Sequence, residues 1–391
     1  MHRARPRPLT RANGRAVAAL ALSTAALTAL TACGAAPEEK AATGVNGVKS
    51  TEATSVADFG GMEKLVAAAE KEGELNVIAL PPDWANYGEI IKAFQAKYKV
   101  RIKSETPDAS SSDEIAAVKS RKGQKRAPDV LDLGIAFARS GAAENLFAPY
   151  KVTAWDRIPD SQKDADGRWY NDYGGYVSIG CDAARIATCP ETFADLLKPE
   201  YKGKVALNGN PTKSGSAFGG VYAASLANKG SFGDIQPGID FFGKLKKSGN
   251  FIPVESTPAT VEKGETPISI DWDYLNAGYA DQFKGKGVDW KVSVPTDGVY
   301  AQFYSQAINK DAPHPAARLW MEYLYSAEGQ NLWLKGYARP VLLPAMTEDG
   351  TADKTFVAKL PKVEGTPAFP SSEELDEANA TLAENWDKAV S

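Results

Sequence analysis

Apolar positions in the first part of the chain alternate between short continuous runs and helical spacing. Residues 75–80 form a compact apolar run between Gly73 and Pro81, which is typical of a buried strand. Residues 87–98 follow that run and repeat apolar side chains on one helical face. The same patterns predict helices at 62–71, 110–122 and 136–145 and strands at 100–104 and 129–133. Strands and helices that alternate in this way predict a parallel α/β sheet.

The second part of the chain also alternates predicted strands and helices, and it does not repeat the sequence of the first part. Its patterns predict strands at 173–179, 204–207, 267–271, 288–294 and 299–308. They also predict helices at 217–226, 239–247, 258–263, 316–325, 328–334 and 373–389. The chain is therefore expected to contain two α/β units.

Composition narrows the class of protein. The 391 residues are 43% hydrophobic and 24% charged, which is ordinary for a globular chain and long enough for two domains. The formal net charge of −4 provides no basic surface, so no nucleic-acid partner is expected. Two histidines and three cysteines argue against a His/Cys metal cage and against a Ser-His-Asp triad. No metal, cofactor or catalytic residue is therefore predicted.

Residues 1–32 have the pattern of a signal peptide. Five arginines and no acidic residue precede an Ala/Leu-rich run at 16–30, which is short for a membrane span. The run ends in Leu-Thr-Ala-Cys33-Gly, which resembles the lipobox of bacterial lipoproteins. That resemblance implies a lipidated Cys33 as the first mature residue; the alternative is an ordinary secretory peptide with a chance cysteine. Residues 33–58 lack an apolar period and predict a flexible tether, so the body is expected at the outer face of the cell membrane.

Cys181 and Cys189 are predicted to form a disulfide. An extracytoplasmic location is oxidising, and the two cysteines are close enough in sequence to close a short loop. The alternative is a pair of free thiols. Neither cysteine has a plausible His or Lys base nearby in sequence, which argues against a catalytic use.

Six short fragments, in order along residues 75–346, resemble one family. The chain is similar to the extracellular solute-binding proteins of bacterial ABC importers, in the group that includes ferric-iron, polyamine, thiamine and 2-aminoethylphosphonate receptors. The fragments are residues 128–134 (PDVLDLG), 175–180 (GYVSIG), 199–205 (PEYKGKV), 210–216 (NPTKSGS), 264–272 (GETPISIDW) and 327–331 (AEGQN).

The resemblance implies a type II periplasmic-binding-protein fold, in which two α/β lobes enclose a ligand cleft and are joined by two hinge crossovers. By analogy the crossovers lie near Gly180 and near Asp297-Gly298. Lobe 1 would then comprise residues 59–180, lobe 2 residues 181–297, and residues 298–391 would return to lobe 1 and end in C-terminal helices. The expected partners are a small-molecule solute and an ABC permease in the membrane, and the receptor is expected to be a monomer.

Loops that follow strands are the expected walls of the ligand site, because ligands of open α/β sheets bind beyond the carboxyl ends of strands. Two such loops are rich in hydroxyls at helix starts, where free backbone N–H groups favour an anion. The alternative is simple N-capping of the helices. The predicted anion-binding residues are Ser110, Ser111, Ser112, Thr212, Ser214 and Ser216.

Two further loops combine carboxylates with aromatic side chains, which suits an ammonium group through charge and cation–π attraction. The alternative is that the tryptophan fills a lobe edge while the aspartates cap a helix. The predicted cation-binding residues are Asp83, Trp84, Asp271, Trp272, Asp273 and Tyr274. Together the four loops predict a zwitterionic or amine-containing solute similar to an aminoalkylphosphonate. A polyamine is the alternative if the acidic loops dominate. Ferric iron is disfavoured, because iron receptors of this group use paired tyrosines and the chain has no Tyr-Tyr dipeptide.

An extracellular carboxylate-dependent hydrolase is the alternative from a different class of protein. Asp271 and Asp273 would then act as an acid/base pair. Residues two apart on a strand point to the same face and have no opposing group across a scissile bond, and the chain has no G-x-S-x-G motif. The sequence therefore favours a non-catalytic receptor.

Overall fold

The computed structural model describes residues 48–364 and 369–391. The predicted signal peptide, the lipidation site Cys33 and residues 33–47 of the predicted tether lie outside the described residues. None of the helices in the described ranges combines the length and the apolar character needed to cross a bilayer.

Strands and helices alternate along the described residues. In chain order the strands are β1 (Glu74–Ile78), β2 (Arg101–Glu105), β3 (Val130–Gly134), β4 (Phe147–Ala148), β5 (Tyr170–Asp182), β6 (Val205–Leu207), β7 (Ile268–Trp272), β8 (Trp290–Ser293), β9 (Ala301–Asn309) and β10 (Arg339–Pro340). The helices are α1 (Met62–Glu72), α2 (Tyr87–Tyr98), α3 (Ser111–Ser120), α4 (Ile135–Ala143), α5 (Gly215–Ala227), α6 (Gln236–Ser248), α7 (Pro258–Lys263), α8 (Asp273–Gln282), α9 (Pro315–Leu324), α10 (Ala327–Lys335), α11 (Leu343–Glu348), α12 (Lys354–Val357) and α13 (Ser372–Val390).

A single long strand joins two sheets. The strand order is β2-β1-β3-β9-β5-β7-β6, and β1 pairs in parallel with β2 and β3. The first part of β5, residues 170–176, pairs with β9, whereas residues 177–181 pair with β7. The sheet around β1, β3 and β9 belongs to lobe 1, and the sheet around β7, β6 and β8 belongs to lobe 2. The predicted α/β architecture of two lobes is confirmed.

Two connections join the lobes. The first passes at Tyr176 and Val177, where β5 changes its partner strand. Gly180, near which the sequence placed this crossover, lies instead within the lobe 2 sheet opposite Ser269. The return runs between β8 and β9, so it includes the predicted Asp297-Gly298.

The described end of the predicted tether, residues 48–58, is folded onto the body. Two 3-10 helices, Ser50–Glu52 and Val56–Phe59, are formed there, and Ala53 and Phe59 are buried. The Lys151 backbone N–H donates to the Thr54 carbonyl at 2.8 Å. The small polar residues of this segment concealed these buried side chains from pattern analysis.

The C-terminal helix α13 packs mainly on lobe 2. Its apolar face is buried, and Trp386 contacts Phe242 of α6 with ring centroids 5.5 Å apart. It also contacts α4 of lobe 1. After the second crossover the chain pairs β9 with the lobe 1 sheet, and its last helix packs mainly on lobe 2.

Cys181 and Cys189 form a disulfide, with their Cα atoms 5.8 Å apart. The bond closes the loop that follows β5. Replacing both cysteines with serine is expected to lower the free energy of unfolding by about 2–3 kcal/mol, because the short loop regains entropy in the unfolded chain. Chemical denaturation of the double variant beside the parent checks this value. Equal stability of the two proteins would contradict a stabilising role for the bond.

Candidate ligand-binding cleft

A cavity of about 390 Å³ lies between the two lobes, within the size range of small-molecule sites. It lies beyond the carboxyl ends of β1 and β6, as expected for an α/β sheet. At the edge of the cavity the two lobes are in close contact at a pair of glycines. A Cβ atom added to Gly134 of lobe 1 would lie 3.4 Å from the Cα atom of Gly215 of lobe 2. Lobe 1 contributes residues 79, 81, 83, 84, 107–111, 113, 114, 132 and 304, and lobe 2 contributes residues 208–210, 213–215, 255–258, 275 and 279.

Five of the twelve sequence-predicted ligand residues line this cavity: Asp83, Trp84, Ser110, Ser111 and Ser214. The other seven lie outside its lining: Ser112, Thr212, Ser216, Asp271, Trp272, Asp273 and Tyr274. Three of the four predicted loops therefore contribute to the cavity, whereas the side chains of residues 271–274 lie in the protein interior.

Trp272 is a core residue of lobe 2, with 1% of its surface exposed. The ring packs against Gly219 of α5, where a Cβ would lie 2.6 Å from the indole Cη2 atom. Its Nε1–H donates to the Tyr304 hydroxyl at 3.4 Å. The strand β7 extends through Trp272, so the indole points into the layer between sheet and helix. The structure thus favours the alternative interpretation, in which this tryptophan fills a lobe interior.

Asp271 lies outside the cavity lining and holds a lining residue, Asn208, by a hydrogen bond. Its carboxylate accepts a hydrogen bond from Asn208 Nδ2 at 2.8 Å and another from the Ser216 hydroxyl. Burial raises the pKa of Asp271 to about 6, although these hydrogen bonds favour its ionised form. Asn208 lines the cavity, so Asp271 is a positioning residue for that side chain.

Asp273 ties lobe 2 to the crossover region. Its Oδ1 atom accepts the Tyr176 backbone N–H at 2.9 Å, and its Oδ2 atom pairs with Arg339 Nη1 at 2.5 Å. The other end of the Arg339 fork donates to the Pro361 carbonyl at 2.8 Å. Asp273 is fully buried, so it is held in an interior ion pair and does not face the cavity.

Two hydroxyls of the Ser-rich loops, those of Ser110 and Ser214, belong to helix caps. Ser110 donates to Asp113 at 2.7 Å, and its partner in a 2.9 Å hydroxyl contact is Ser112. Ser214 donates to the Asn208 carbonyl at 2.9 Å and accepts the Ala217 N–H at 3.4 Å. The capping alternative therefore applies to Ser110 and Ser214, the first residue before α3 and before α5.

Ser111 and Thr212 complete the hydroxyl set. The Ser111 Oγ atom accepts the Gly134 N–H at 3.1 Å, and this bond joins α3 to the end of β3 at the cavity wall. Thr212 donates to Asn210 Oδ1 at 2.8 Å within its own loop. Ser111 thus has a cavity-facing position, whereas Thr212 stabilises the loop that leads into α5.

Carboxyl groups dominate the charge of the cavity. Six of its lining residues are acidic, namely Asp83, Asp108, Asp113, Glu114, Asp132 and Glu255, and one is basic, Lys213. Burial raises the pKa of Glu255, and the charge of Asp108 adds to this effect from the other lobe. Acidic groups of both lobes therefore face one space, which favours a cationic group between them.

A chain of hydrogen bonds connects two residues of the cavity lining, Trp84 and Asp132. The Trp84 Nε1–H donates to the Tyr173 hydroxyl at 2.7 Å, and that hydroxyl donates to Asp132 Oδ2 at 2.7 Å. The Trp84 ring also makes edge contacts with Tyr274 and Tyr304. Trp84 therefore has an apolar face in the cavity and a polar end fixed by the interior.

Pattern analysis missed several lining residues, including Glu114, Asp132, Asn208, Lys213 and Glu255. One signal was available: Asp132 is a charged residue inside an otherwise continuous apolar strand, where an ionisable group needs a special reason. Glu114 lies on the buried side of α3, near its start. Within the described ranges, no group of three or more His, Cys, Asp or Glu side chains is arranged to hold a metal ion.

Comparisons with solved structures identify the fold. The periplasmic binding protein P5PA is 19% identical, with a TM-score of 0.66 over 82% of this chain and 100% of that one. AfuA from Actinobacillus pleuropneumoniae, solved with fructose-6-phosphate, is 19% identical, with a TM-score of 0.64 over 82% and 98% of the two chains. The Atu4243 GABA receptor is 16% identical, with a TM-score of 0.59 over 81% and 97%. The fold is therefore the type II periplasmic-binding-protein fold.

Sequence comparison adds the family. No curated protein sequence matches the chain. The family described as bacterial extracellular solute-binding protein matches residues 125–359, which is more than half of the chain and includes most of lobe 2 and both crossovers. The chain belongs to the bacterial extracellular solute-binding proteins, which bind small solutes and deliver them to ABC permeases.

Proposed function

We propose that this receptor captures a small zwitterionic solute that carries an ammonium group, such as an aminoalkylphosphonate. The observation that carries the proposal is the charge of the cavity, in which six carboxyl groups face one lysine. Desolvated carboxylates that lack a protein cation strongly favour a ligand that supplies one. A neutral sugar or a purely anionic solute would leave these charges unbalanced.

The anionic end of the solute is assigned to the lobe 2 wall. Lys213 lines the cavity there and stands directly before α5, a helix of 13 residues that begins at Gly215. The first backbone N–H groups of a helix attract anions, and a lysine beside them adds a full charge. Ser214 shapes this corner as the cap of α5.

The similar structures are compatible with such a ligand. One is the Atu4243 GABA receptor, and GABA carries an ammonium group and a carboxylate. Another was solved with fructose-6-phosphate, which carries a phosphate. Proteins of this fold thus accommodate both kinds of charged end.

A polyamine is the second candidate, and one observation favours it. The carboxyl groups of the cavity lie at several positions on both lobes. Those of Asp83, Asp108 and Glu255 are additional to those of Asp113, Glu114 and Asp132. Several separated carboxylates suit a ligand with several ammonium groups. The hydrolase alternative has no such support, because Asp271 and Asp273 lie outside the cavity lining and are bonded to protein groups.

A thermal-shift panel on the exported protein tests the ligand class. 2-Aminoethylphosphonate and 4-aminobutyrate should raise the melting temperature more than spermidine does, whereas phosphate and glucose should leave it unchanged. A ligand at 100 times its dissociation constant adds about 2.7 kcal/mol of apparent stability. Stabilisation by amine-free solutes alone would contradict the proposal, and stabilisation by spermidine alone would favour the polyamine receptor. Mass spectrometry of the incubated solutes should recover them unchanged.

We also propose that a lipid on Cys33 anchors a monomeric receptor outside the cytoplasm. Replacing Cys33 with alanine is expected to release the protein from the membrane fraction, because the anchor provides attachment and the body folds separately. Cell fractionation followed by immunoblotting measures this release. Continued membrane association of the variant would rule out the lipid anchor.

A further inference from the structure

Three carboxyl side chains meet at the floor of the cavity, on the lobe 1 side. Glu114 is on α3, Asp132 on β3 and Asp172 on β5, and their exposures are 1%, 5% and 0%. Glu114 and Asp132 line the cavity, whereas Asp172 lies behind them. We call these residues the floor cluster. Such a concentration of buried acids is costly unless cations or protons compensate it.

Hydrogen bonds satisfy the floor cluster only in part. Asp132 Oδ2 accepts the Tyr173 hydroxyl, whereas Asp132 Oδ1 is buried with no hydrogen-bond partner among the described residues. Glu114 Oε2 accepts the Asp132 backbone N–H at 3.0 Å. Asp172 accepts Gln306 Nε2 at 2.9 Å and its neighbour's backbone N–H at 2.7 Å. The unsatisfied oxygen therefore belongs to a residue of the cavity wall.

No described lysine, arginine or histidine forms an ion pair with a member of the floor cluster. The ionisable groups that face it are phenols and one more carboxylate: Tyr87 of α2, Asp113 of α3, Tyr173 of β5, Tyr274 of α8, Tyr304 of β9 and Tyr325 after α9. All of these are neutral or negative. Charge balance must come from protons on the carboxyl groups or from a cation in the cavity.

We propose that Asp132, with Glu114 beside it, forms the ammonium subsite of the cleft and that the bound ammonium replaces a proton held by the floor cluster. This inference rests on the proposed function, because it concerns the amine of that solute. In the exchange one carboxyl O–H ionises and its proton passes to the solvent. The ligand keeps all of its bonds and its charge.

The electrostatics of the cluster are consistent with such an exchange. Burial raises the pKa of Asp132 to about 7. Burial also raises the pKa of Asp172 well above its usual range, and the neighbouring Asp132 charge adds to the effect. Below the pKa of Asp132, which is about 7, the affinity for an amine should then fall about tenfold for each pH unit, because the carboxyl group must first lose its proton.

Isothermal titration calorimetry in two buffers of different ionisation enthalpy counts the protons that are released. The probes are matched pairs: 2-aminoethylphosphonate with ethylphosphonate, and 4-aminobutyrate with butyrate. Near pH 6.5 each amine should release more protons than its amine-free partner, by up to one per ligand. The carboxylate pair has no ligand titration of its own at this pH, because both carboxylates are fully ionised. In the phosphonate pair the ammonium group lowers the pKa of the phosphonate, so the proton uptake of each free phosphonate is measured separately and subtracted.

Variants assign the proton to the floor cluster. Asp132→Asn should weaken amine binding about 10–100-fold and abolish the extra proton release, while the amide oxygen still accepts the Tyr173 hydroxyl. Glu114→Gln gives a second variant that removes one charge if the first does not fold. Asp156→Asn, at an exposed carboxylate outside the cavity lining, is the matched control and should retain both the affinity and the proton release.

The outcomes separate the two proposals. If an amine binds without extra proton release and Asp132→Asn keeps its affinity, the ammonium subsite is wrong while the receptor's ligand class stands. If neither amine binds the parent protein, the proposed ligand class is wrong and the subsite falls with it. Amine-linked proton release that Asp132→Asn removes supports both.

Discussion

Trp272→Ala is expected to lower the free energy of unfolding by about 3–5 kcal/mol. The indole is almost completely buried, its ring fills the space above Gly219, and its Nε1–H reaches Tyr304. Truncation leaves a large cavity between β7 and α5 that a rigid glycine-containing helix cannot fill. Chemical denaturation of the variant measures the loss.

Trp84→Ala is the matched control for that experiment. Trp84 is only partly buried and lines the cavity, so its truncation should reduce ligand affinity more than stability. If Trp272→Ala instead unfolds like the parent and loses ligand affinity, the assignment of Trp272 to the core is wrong. The sequence alone predicted that second result for Trp272, because an indole beside two aspartates is typical of a cation site.

Arg339→Met is expected to destabilise the fold by about 3–5 kcal/mol, since it leaves a buried carboxylate without its cation. The side chain of Arg339 is 16% exposed, and that of Asp273 is 0% exposed. Arg339 also donates to the Pro361 carbonyl, so its removal loosens the contact between β10 and the following chain. Denaturant unfolding at several pH values measures the effect.

The pH dependence of this variant has a defined sign. Burial already raises the pKa of Asp273, and the Arg339 charge opposes that rise. Without the arginine the folded-state pKa rises further, so the protonated form is favoured by folding and stability falls as the pH increases. The variant should therefore be closer to the parent at pH 5 than at pH 8. Adding Asp273→Asn should recover part of the loss, and no recovery would contradict an uncompensated charge as the cause.

Most elements of the fold could be predicted from local patterns. The helix at 87–98 and the short helix at 258–263 have their predicted bounds in the structure, because a clear apolar face or a Thr-Pro start marks each of them. The helices α11 and α12 were missed, since segments this short carry too few residues for a periodic signal. The buried 3-10 segments at 50–59 were likewise hidden by small polar residues.

The candidate site was less predictable, because side-chain direction depends on tertiary packing. The loops were found by the rule that ligands bind beyond strand ends, and Asp83, Trp84 and Ser111 reach the cavity. The side chains of residues 271–274 turn inward because they contact residues that are distant in sequence. Trp272 packs on Gly219 of α5, and Asp273 pairs with Arg339 of β10. Glu255 reaches the cavity because its loop bonds to the end of β6, where the Ser256 N–H donates to the Leu207 carbonyl, and this contact joins segments that are distant in sequence.

The central claim is that the cleft selects a solute by its ammonium group. The most direct measurement is a calorimetric comparison of 2-aminoethylphosphonate with ethylphosphonate on the parent protein at pH 7.5, because the covalent structures of the two ligands differ by the amine alone. The acidic cavity predicts that the amine-bearing ligand binds at least tenfold more tightly, equivalent to about 1.4 kcal/mol. Equal affinities, or tighter binding of ethylphosphonate, would contradict it.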